Sequence, residues 1–273
     1  MDFIQGQKFE SLGQWAYAPI VRHRDDYDKL KNVFDFNAIE NGDIIYTHTF
    51  YVKQLFKVLG ELDKGVIVVT HNSDINIDNS FSPPDNVFKW FSQNVNVIHE
   101  KIESIPIGLE NDRWFPQIRK KEKMGVTMGM PKFFKNLVYM NHNINTNPGK
   151  RNKPYELLEK KRWVTTEHRA NGENFDDYLQ NLFTHKFVIC PEGNGLDTHR
   201  TWEALYMGAI PIEIKNNNNR FYADLPILVI DDWEQLTEKF LEDWYYQMMC
   251  GIKVWNYDKL NFSYWEDKIL NTR

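Results

Sequence analysis

A chain of 273 residues, 42% hydrophobic and 26% charged, carries enough apolar material for two cores of about 130 residues each. A formal charge of −5 excludes a general nucleic-acid binder, which needs a basic face, yet leaves room for a local basic pocket. Aromatic residues reach 15%, with nine Trp, so exposed rings could stack on sugars while most serve the core. There are two cysteines, Cys190 and Cys250, and Cys190 falls in a predicted buried strand, which predicts free thiols rather than a disulfide.

The N-terminus, MDFIQGQKFESLG, lacks the basic-then-apolar pattern of a signal peptide, and no run reaches the roughly 18–20 apolar residues of a membrane span. With Met1 leading straight into the chain and cysteines few, the expected location is cytoplasmic, with no integral membrane segment. Residues 1–43 show no clean period, and HRDDYDKLKNVFDF (23–36) predicts a short helix. Asp26-Tyr27-Asp28 has the form of a DxD metal motif, but it precedes Lys29-Leu30-Lys31 instead of closing an apolar strand, so it reads as a solvated helix start. A strand is predicted at 43–47, an amphipathic helix at 50–62 and a second buried strand at 65–70, ending in His71-Asn72-Ser73-Asp74. Ligand groups in α/β sheets lie just past the carboxyl ends of strands, which singles out His71 and Asp74. Asp74-x-Asn76-x-Asp78 imitates the start of a calcium loop without its sixth-position Gly or closing Glu, so a polar turn is expected.

Residues 89–94 predict a short helix, 95–98 a strand, and 102–107 a strand running into Gly108-Leu109-Glu110-Asn111. The basic, aperiodic stretch 116–135 is expected to link two domains. Strand 137–140 then opens the second domain and ends at Asn141. Asn147 to Arg151 turns into a helix at 152–161, either a loop-to-helix anion site with Arg151 or Lys150 as partner, or merely a solvated basic helix start. A strand at 163–166 brings Thr166, Glu167 and Arg169 to its end, where they could border a nucleobase, and a helix follows at 175–184.

The densest information lies in FVICPEGNGLDTHRTWEALYMGAIPIEI (187–214). Phe187 to Cys190 has the composition of a strand buried on both faces, Pro191 ends it, and Glu192-Gly193-Asn194-Gly195 suits a tight loop that tolerates positive φ. Asp197 is expected to cap a helix over 198–207, with Gly208 at C′ and a strand from Ala209. Trp202, Leu205 and Thr198 share the sheet-facing side, while His199, Arg200 and Glu203 share another arc. A cation in the first helical turn opposes the macrodipole unless an anion sits between the helix N-terminus and the guanidinium. Arg200 therefore either binds such an anion, a diphosphate for instance, or pairs with Asp197 or Glu203. Beyond it come a polar loop at 216–219, Phe221-Tyr222 expected across a cleft, a strand at 226–230, a helix at 232–244 and a terminal helix at 261–270 with Ser263 as N-cap.

CPEGNGLDTHRTWEALYMGAIPI resembles the C-terminal signature of exostosin-like glycosyltransferases, over about 25 contiguous residues, and more thinly so do IPIGLEN (105–111) and YWEDKI (264–269). The resemblance implies an α/β fold of the GT-B type: two Rossmann-like domains facing a cleft, 1–115 binding the acceptor and 136–258 the nucleotide sugar, with 259–273 crossing back to the first. It implies transfer of a sugar from a UDP-sugar donor, with a slight leaning to UDP-xylose, to a hydroxyl of a glycan or glycoprotein acceptor, with inversion. Many such enzymes are anchored in the Golgi, so a soluble catalytic domain of that kind is the alternative to a cytoplasmic protein. The GLEN-type loop makes Glu110 either a sugar contact or a helix cap with Trp114 and Phe115 behind it.

Inverting transfer needs a base near the acceptor hydroxyl and positive charge on the departing diphosphate. Asp74 is the expected base, with Glu110 and His71 as alternatives. Arg200, Arg151 and helix N-termini would balance the phosphates, so no obligatory metal or other cofactor is expected. Glu203 would hold ribose hydroxyls, Thr198 and Asn194 would complete the phosphate shell, and Glu192, Gly193 and Gly195 would bring backbone N–H groups close. His199 and Asn141 border the same loops. The rival reading is a non-catalytic nucleotide- or glycan-binding module. A nucleotide-sugar epimerase or dehydrogenase would need a GxGxxG after its first strand, which is missing.

Overall fold

The computed structural model describes residues 2–17, 34–112, 117–132, 134–167, 175–251 and 253–272, with 117–120 as backbone only. Two compact units emerge, one of residues Asp112–Leu260 and one of Asp2–Asn111 together with Asn261–Arg273. Each is built on a five-stranded sheet whose paired strands are all parallel. Parallel sheets need both faces covered, which is why their strands read as apolar runs.

In the first unit, β1 (Trp15–Tyr17), β2 (Ile44–His48), β3 (Val66–His71), β4 (Val87–Ser92) and β5 (Ile102–Ser104) lie side by side in chain order. The order never reverses, so this sheet has no topological switch point, in contrast to a doubly wound domain. Helix α1 (Gly6–Glu10) precedes β1, and α2 (Val52–Leu59) joins β2 to β3. Val52, Leu55, Phe56 and Leu59 are buried at helical spacing, which explains why this helix was legible. Its expected first turn is a 3-10 turn, Thr49–Tyr51.

Residues 89–94 are not helical. They belong mainly to β4, where aromatic residues suit a pleated surface: Trp90 is fully buried and its indole donates to Thr70 Oγ1 at 2.9 Å. The strand expected at 95–98 reduces to one bridge between Ile77 and Val95.

The second unit opens with a helix where a linker was expected. Helix α3 (Gln117–Met128) shows no apolar stripe because Met124 is the one buried residue among 121–128. Then follow β6 (Asn136–Met140), α4 (Pro148–Leu158), β7 (Val164–Thr166), α5 (Phe175–Thr184), β8 (His185–Ile189), α6 (His199–Tyr206), β9 (Ile210–Ile214), β10 (Leu228–Ile230) and α7 (Glu238–Met249). Pro148 at the head of α4 starts that helix four residues before the expected 152, as its fixed φ favours.

The sheet order is β10-β9-β8-β6-β7, so the chain reverses direction across the sheet between β6 and β8. Alternation sorts the side chains. Val138, Met140, Phe187, Ile189, Ile210 and Ile212 face a core completed by Tyr155 and Leu158 of α4 and Leu241 of α7. Tyr139 and Tyr178 of α5 approach one another, ring centroids 6.3 Å apart, on the opposite face.

Several local expectations need correction. Asp197 does not cap α6: Thr198 is the N-cap residue, and the Asp197 carboxylate instead accepts from Trp202 Nε1 at 2.9 and 3.1 Å. Neither Gly193 nor Gly195 has positive φ, whereas Gly208 does, at +71°. Tyr222 is buried edge-on to Trp202, 5.3 Å between centroids. The terminal helix α8 (Phe262–Leu270) takes Asn261, not Ser263, as its N-cap residue, and it belongs to the compact unit containing β1–β5. Asp26-Tyr27-Asp28, Trp114, Phe115 and Arg169 lie outside the described residues.

Phe187 and Gly208 make a ranked test of this packing. Phe187 is fully buried between Trp244 and Tyr245, so Phe187→Ala should cost about 3–5 kcal/mol. Gly208→Ala has room, its nearest neighbour being the end of Lys132 at 3.5 Å, and should cost only about 1 kcal/mol for the positive φ. Urea unfolding followed by circular dichroism checks the order.

Candidate functional site

The carboxyl ends of strands flanking a switch point form the natural crevice of an open parallel sheet. In the second unit those are the ends of β6 and β8. Asn141 and His142 follow β6, and Cys190 through Gly195 follow β8. Both loops lead into helices, α4 and α6, whose first-turn N–H groups lack intrahelical partners.

Arg200, in the first turn of α6, is buried at 8% exposure. Its Nη1 donates to Asn141 Oδ1, and its guanidinium lies 5.5 Å from the centre of the Tyr178 ring. The carboxylates expected as alternative partners are engaged elsewhere. Asp197 takes the Trp202 indole, and Glu203 accepts from the Tyr178 hydroxyl at 2.5 Å. Asn141 in turn donates to the Tyr139 hydroxyl at 2.6 Å, and that hydroxyl donates to Glu167 at 2.5 Å. The cation is thus held by an amide oxygen and an aromatic face, with Glu203 one side chain removed and Glu167 two. Burial and the neighbouring Glu203 hold the Tyr178 hydroxyl well above its ordinary pKa, so it stays a donor.

Arg151 ties the two loops together. Its Nε donates to the Glu192 carbonyl and its Nη1 to the Asn143 carbonyl, both at 2.9 Å. A Cβ on Gly193 would sit 3.0 Å from Arg151 Nη2, so this glycine serves close approach and not an unusual φ. Asn147 adds a bond to the Gly193 carbonyl at 2.7 Å, and Lys150 lies 3.3 Å from the Glu192 carboxylate. Lys150 and Arg151 are therefore both built into the loop pair.

Two buried polar atoms at this edge have no hydrogen-bond partner among the described residues: His142 Nδ1 and Thr166 Oγ1. His142 Nε2 donates to the Arg151 carbonyl at 2.9 Å, which fixes Nδ1 as an unfilled acceptor. An orphaned buried group ordinarily costs about 1–3 kcal/mol. Of the other residues singled out in the sequence, Asn194 is exposed, Thr198 and His199 are partly buried and Gly195 is buried, accepting from Gly193 N.

In the first unit, a polar cluster gathers near the ends of β2 and β3. Asn72 donates to Glu10 and to the Tyr46 hydroxyl, and Asn111 donates to Asn72 Oδ1 at 3.0 Å. Asn72 stands at φ +60°, in the left-handed region. His71 is buried, with Nε2 bonded to the Pro106 carbonyl at 3.0 Å and its ring stacked on Phe9. Glu110 is partly buried, accepting from Asn111 N at 2.9 Å, while Asp74 is exposed. Sequence reasoning missed Glu10, Tyr139, Tyr178, His142 and Glu213. Only His142, standing beside Asn141 at a strand end, carried a visible signal.

Among the described residues no group of three or more His, Cys, Asp or Glu is arranged to hold a metal ion, and no helix is long and apolar enough to cross a membrane. The chain matches no protein-family model.

Burial tunes two groups in opposite senses. Glu213, bonded to Thr201 and Asn219, is pushed from 4.5 up to about 8 by desolvation. His142 is pushed from 6.5 down to about 3, first by desolvation and then by the charges of Arg200 and Arg151. The folded state thus holds the Glu213 proton that the unfolded chain releases above pH 4.5, so stability falls as pH rises from 4.5 to about 8. For His142 the unfolded chain takes up a proton that the folded state refuses, so stability falls as pH drops from 6.5 to about 3. Together they leave a plateau between pH 4.5 and 6.5. Glu213→Gln should match the parent below pH 4.5 and exceed it increasingly above, by an amount on the order of 1–5 kcal/mol at pH 8, read from urea midpoints.

Proposed function

We propose that this protein is an inverting, metal-independent glycosyltransferase of the GT-B type, moving a sugar from a UDP-sugar to a glycan hydroxyl. The observation that carries this reading is the buried Arg200 guanidinium, held by Asn141 and the Tyr178 ring instead of a carboxylate, at the carboxyl end of the switch-point strands. A buried cation of this kind is stabilised further by an anion, and the adjoining N-termini of α4 and α6 favour the same sign. In this reading Arg200 and backbone N–H groups of 192–195 carry the leaving diphosphate, and His142 Nδ1 or Thr166 Oγ1 accepts from a donor hydroxyl. Arg151 organises the loops. Since electrostatic stabilisation of the leaving group needs no metal here, none is part of the proposal. UDP-xylose remains the favoured donor on the sequence resemblance alone.

For the base, accessibility favours Asp74, which is exposed, over His71, which is buried and engaged through Nε2. Glu110, partly buried beside Asn111, is the second candidate. The engagement of His71 and Glu110 in internal bonds also suits a module that binds without turning over, and turnover separates the two readings.

Calorimetric titration with UDP should give saturable binding that Arg200→Ala weakens about 10–100-fold, the loss of charge-assisted bonds. Unchanged affinity in that variant would remove Arg200 from the site. With donor and an acceptor panel, Asp74→Asn should lower kcat about 100-fold or more at unchanged donor affinity. Near-parental turnover would pass the role to Glu110, and no transfer by the parent protein on any acceptor would favour the binding module.

A further inference from the structure

Sheet two ends at β10, which among the described residues is hydrogen-bonded along one side only, to β9. Against it opens a cavity of about 590 Å³, within the range that encloses small organic ligands. Its apolar lining comes from Tyr222, Trp244, Met248 and Trp255, with Val229 of β10 exposed beside them. Around this lining stand three cations, Lys215, Arg220 and Lys253, against a single carboxylate, Asp231. In a chain whose formal charge is −5, that is a local reversal of sign.

The cations are held in place over aromatic and backbone partners. Lys253 donates to the Ala223 carbonyl at 2.5 Å and sits 4.3 Å above the Trp255 ring, and Arg220 lies 4.5 Å above Phe221. Lys215 stands 3.8 Å from Asp231, both largely exposed, a weak pair that leaves an excess of positive charge. Trp255 adds an independent sign. Its indole Nε1–H is buried without an acceptor among the described residues, although a buried donor ordinarily has one. An apolar lining, a positive rim and an unused N–H donor together describe the complement of one chemical class.

We propose that this cavity binds a small organic anion with a planar apolar body, such as an aromatic carboxylate or sulfonate. The ring system lies against Trp244, Trp255 and Met248, and the anionic group is held by Arg220 and Lys253, with an acceptor atom for Trp255 Nε1. The site is separate from the Arg200 anion site, whose cations are different residues. The two share only a polar partition, where Asn216 bonds Glu192 at 3.1 Å and Asn219 bonds Glu213 at 2.7 Å. The proposal therefore does not rest on the sugar-transfer reading.

The test uses 8-anilinonaphthalene-1-sulfonate and its uncharged counterpart N-phenyl-1-naphthylamine as probes of the intact chain. Fluorescence titration at pH 7 should give one saturable sulfonate site, with the neutral probe binding about 10-fold weaker or less. The double variant Arg220→Gln/Lys253→Gln should weaken the sulfonate about 10-fold and leave the neutral probe unchanged. Met248→Trp, which narrows the cavity where the ring system lies, should weaken both. UDP titration of the same variants should match the parent, which keeps failure here distinct from failure of the Arg200 assignment. Equal affinity for both probes, sulfonate binding indifferent to the double variant, or probe retained by a folded Met248→Trp protein would each overturn the proposal.

Discussion

Everything in the second unit turns on a positive charge that is buried and yet not neutralised by direct contact. Removing a guanidinium from water costs several kcal/mol, and the usual remedy is a carboxylate at hydrogen-bond distance. Here the remedy is indirect. Tyr178 offers its face to Arg200 and its hydroxyl to Glu203, and Asn141 relays through Tyr139 to Glu167. Each acid lowers the energy of the cation through a polarised neutral group. A direct ion pair would be more self-sufficient and would have less affinity left for anything else.

The same arrangement explains why so many hydroxyls and amides crowd this edge of the sheet. Tyr139, Tyr178 and Asn141 can each donate and accept, so they pass polarisation along without adding charge. Cys190, at the head of the loop after β8, is buried and its thiol is pushed far up, which makes it an inert packing group and no nucleophile. Gly193 completes the picture from the opposite direction, because its missing side chain is what lets Arg151 span the loops.

Much of the scaffold was legible because it follows from short-range chemistry. The helix at 175–184 is found at its expected bounds, and β3, β6 and β8 lie within a residue or two of theirs, since runs of β-branched and aromatic residues have few alternatives in a parallel sheet. Gly208 took the positive φ that a helix C′ position demands. The failures have physical causes of their own. Helix α3 has a single buried anchor in place of a stripe, β4 mixes a lysine into an aromatic strand, and Asp197 was diverted from capping by an indole five residues on. Arg200 and Asn141 could be named from their places at element ends. Glu167 was singled out at a strand end but for a nucleobase, and Tyr178 not at all, because only tertiary packing links them to the guanidinium.

The first unit is discontinuous in sequence, Asp2–Asn111 being joined by residues after Leu260. Phe262, Trp265 and Ile269 of α8 are buried in it, Phe262 N bonds the Asp2 carbonyl, and Lys268 pairs with Glu103. Its core therefore stays incomplete during synthesis until residues 262–270 have emerged. Residues 112–260, continuous in sequence, are under no such constraint and can reach their native packing while the earlier-made segment waits. Order of synthesis and order of completion are inverted for these two units, and removing residues 262–270 falls on the unit whose other residues are made before 112–260.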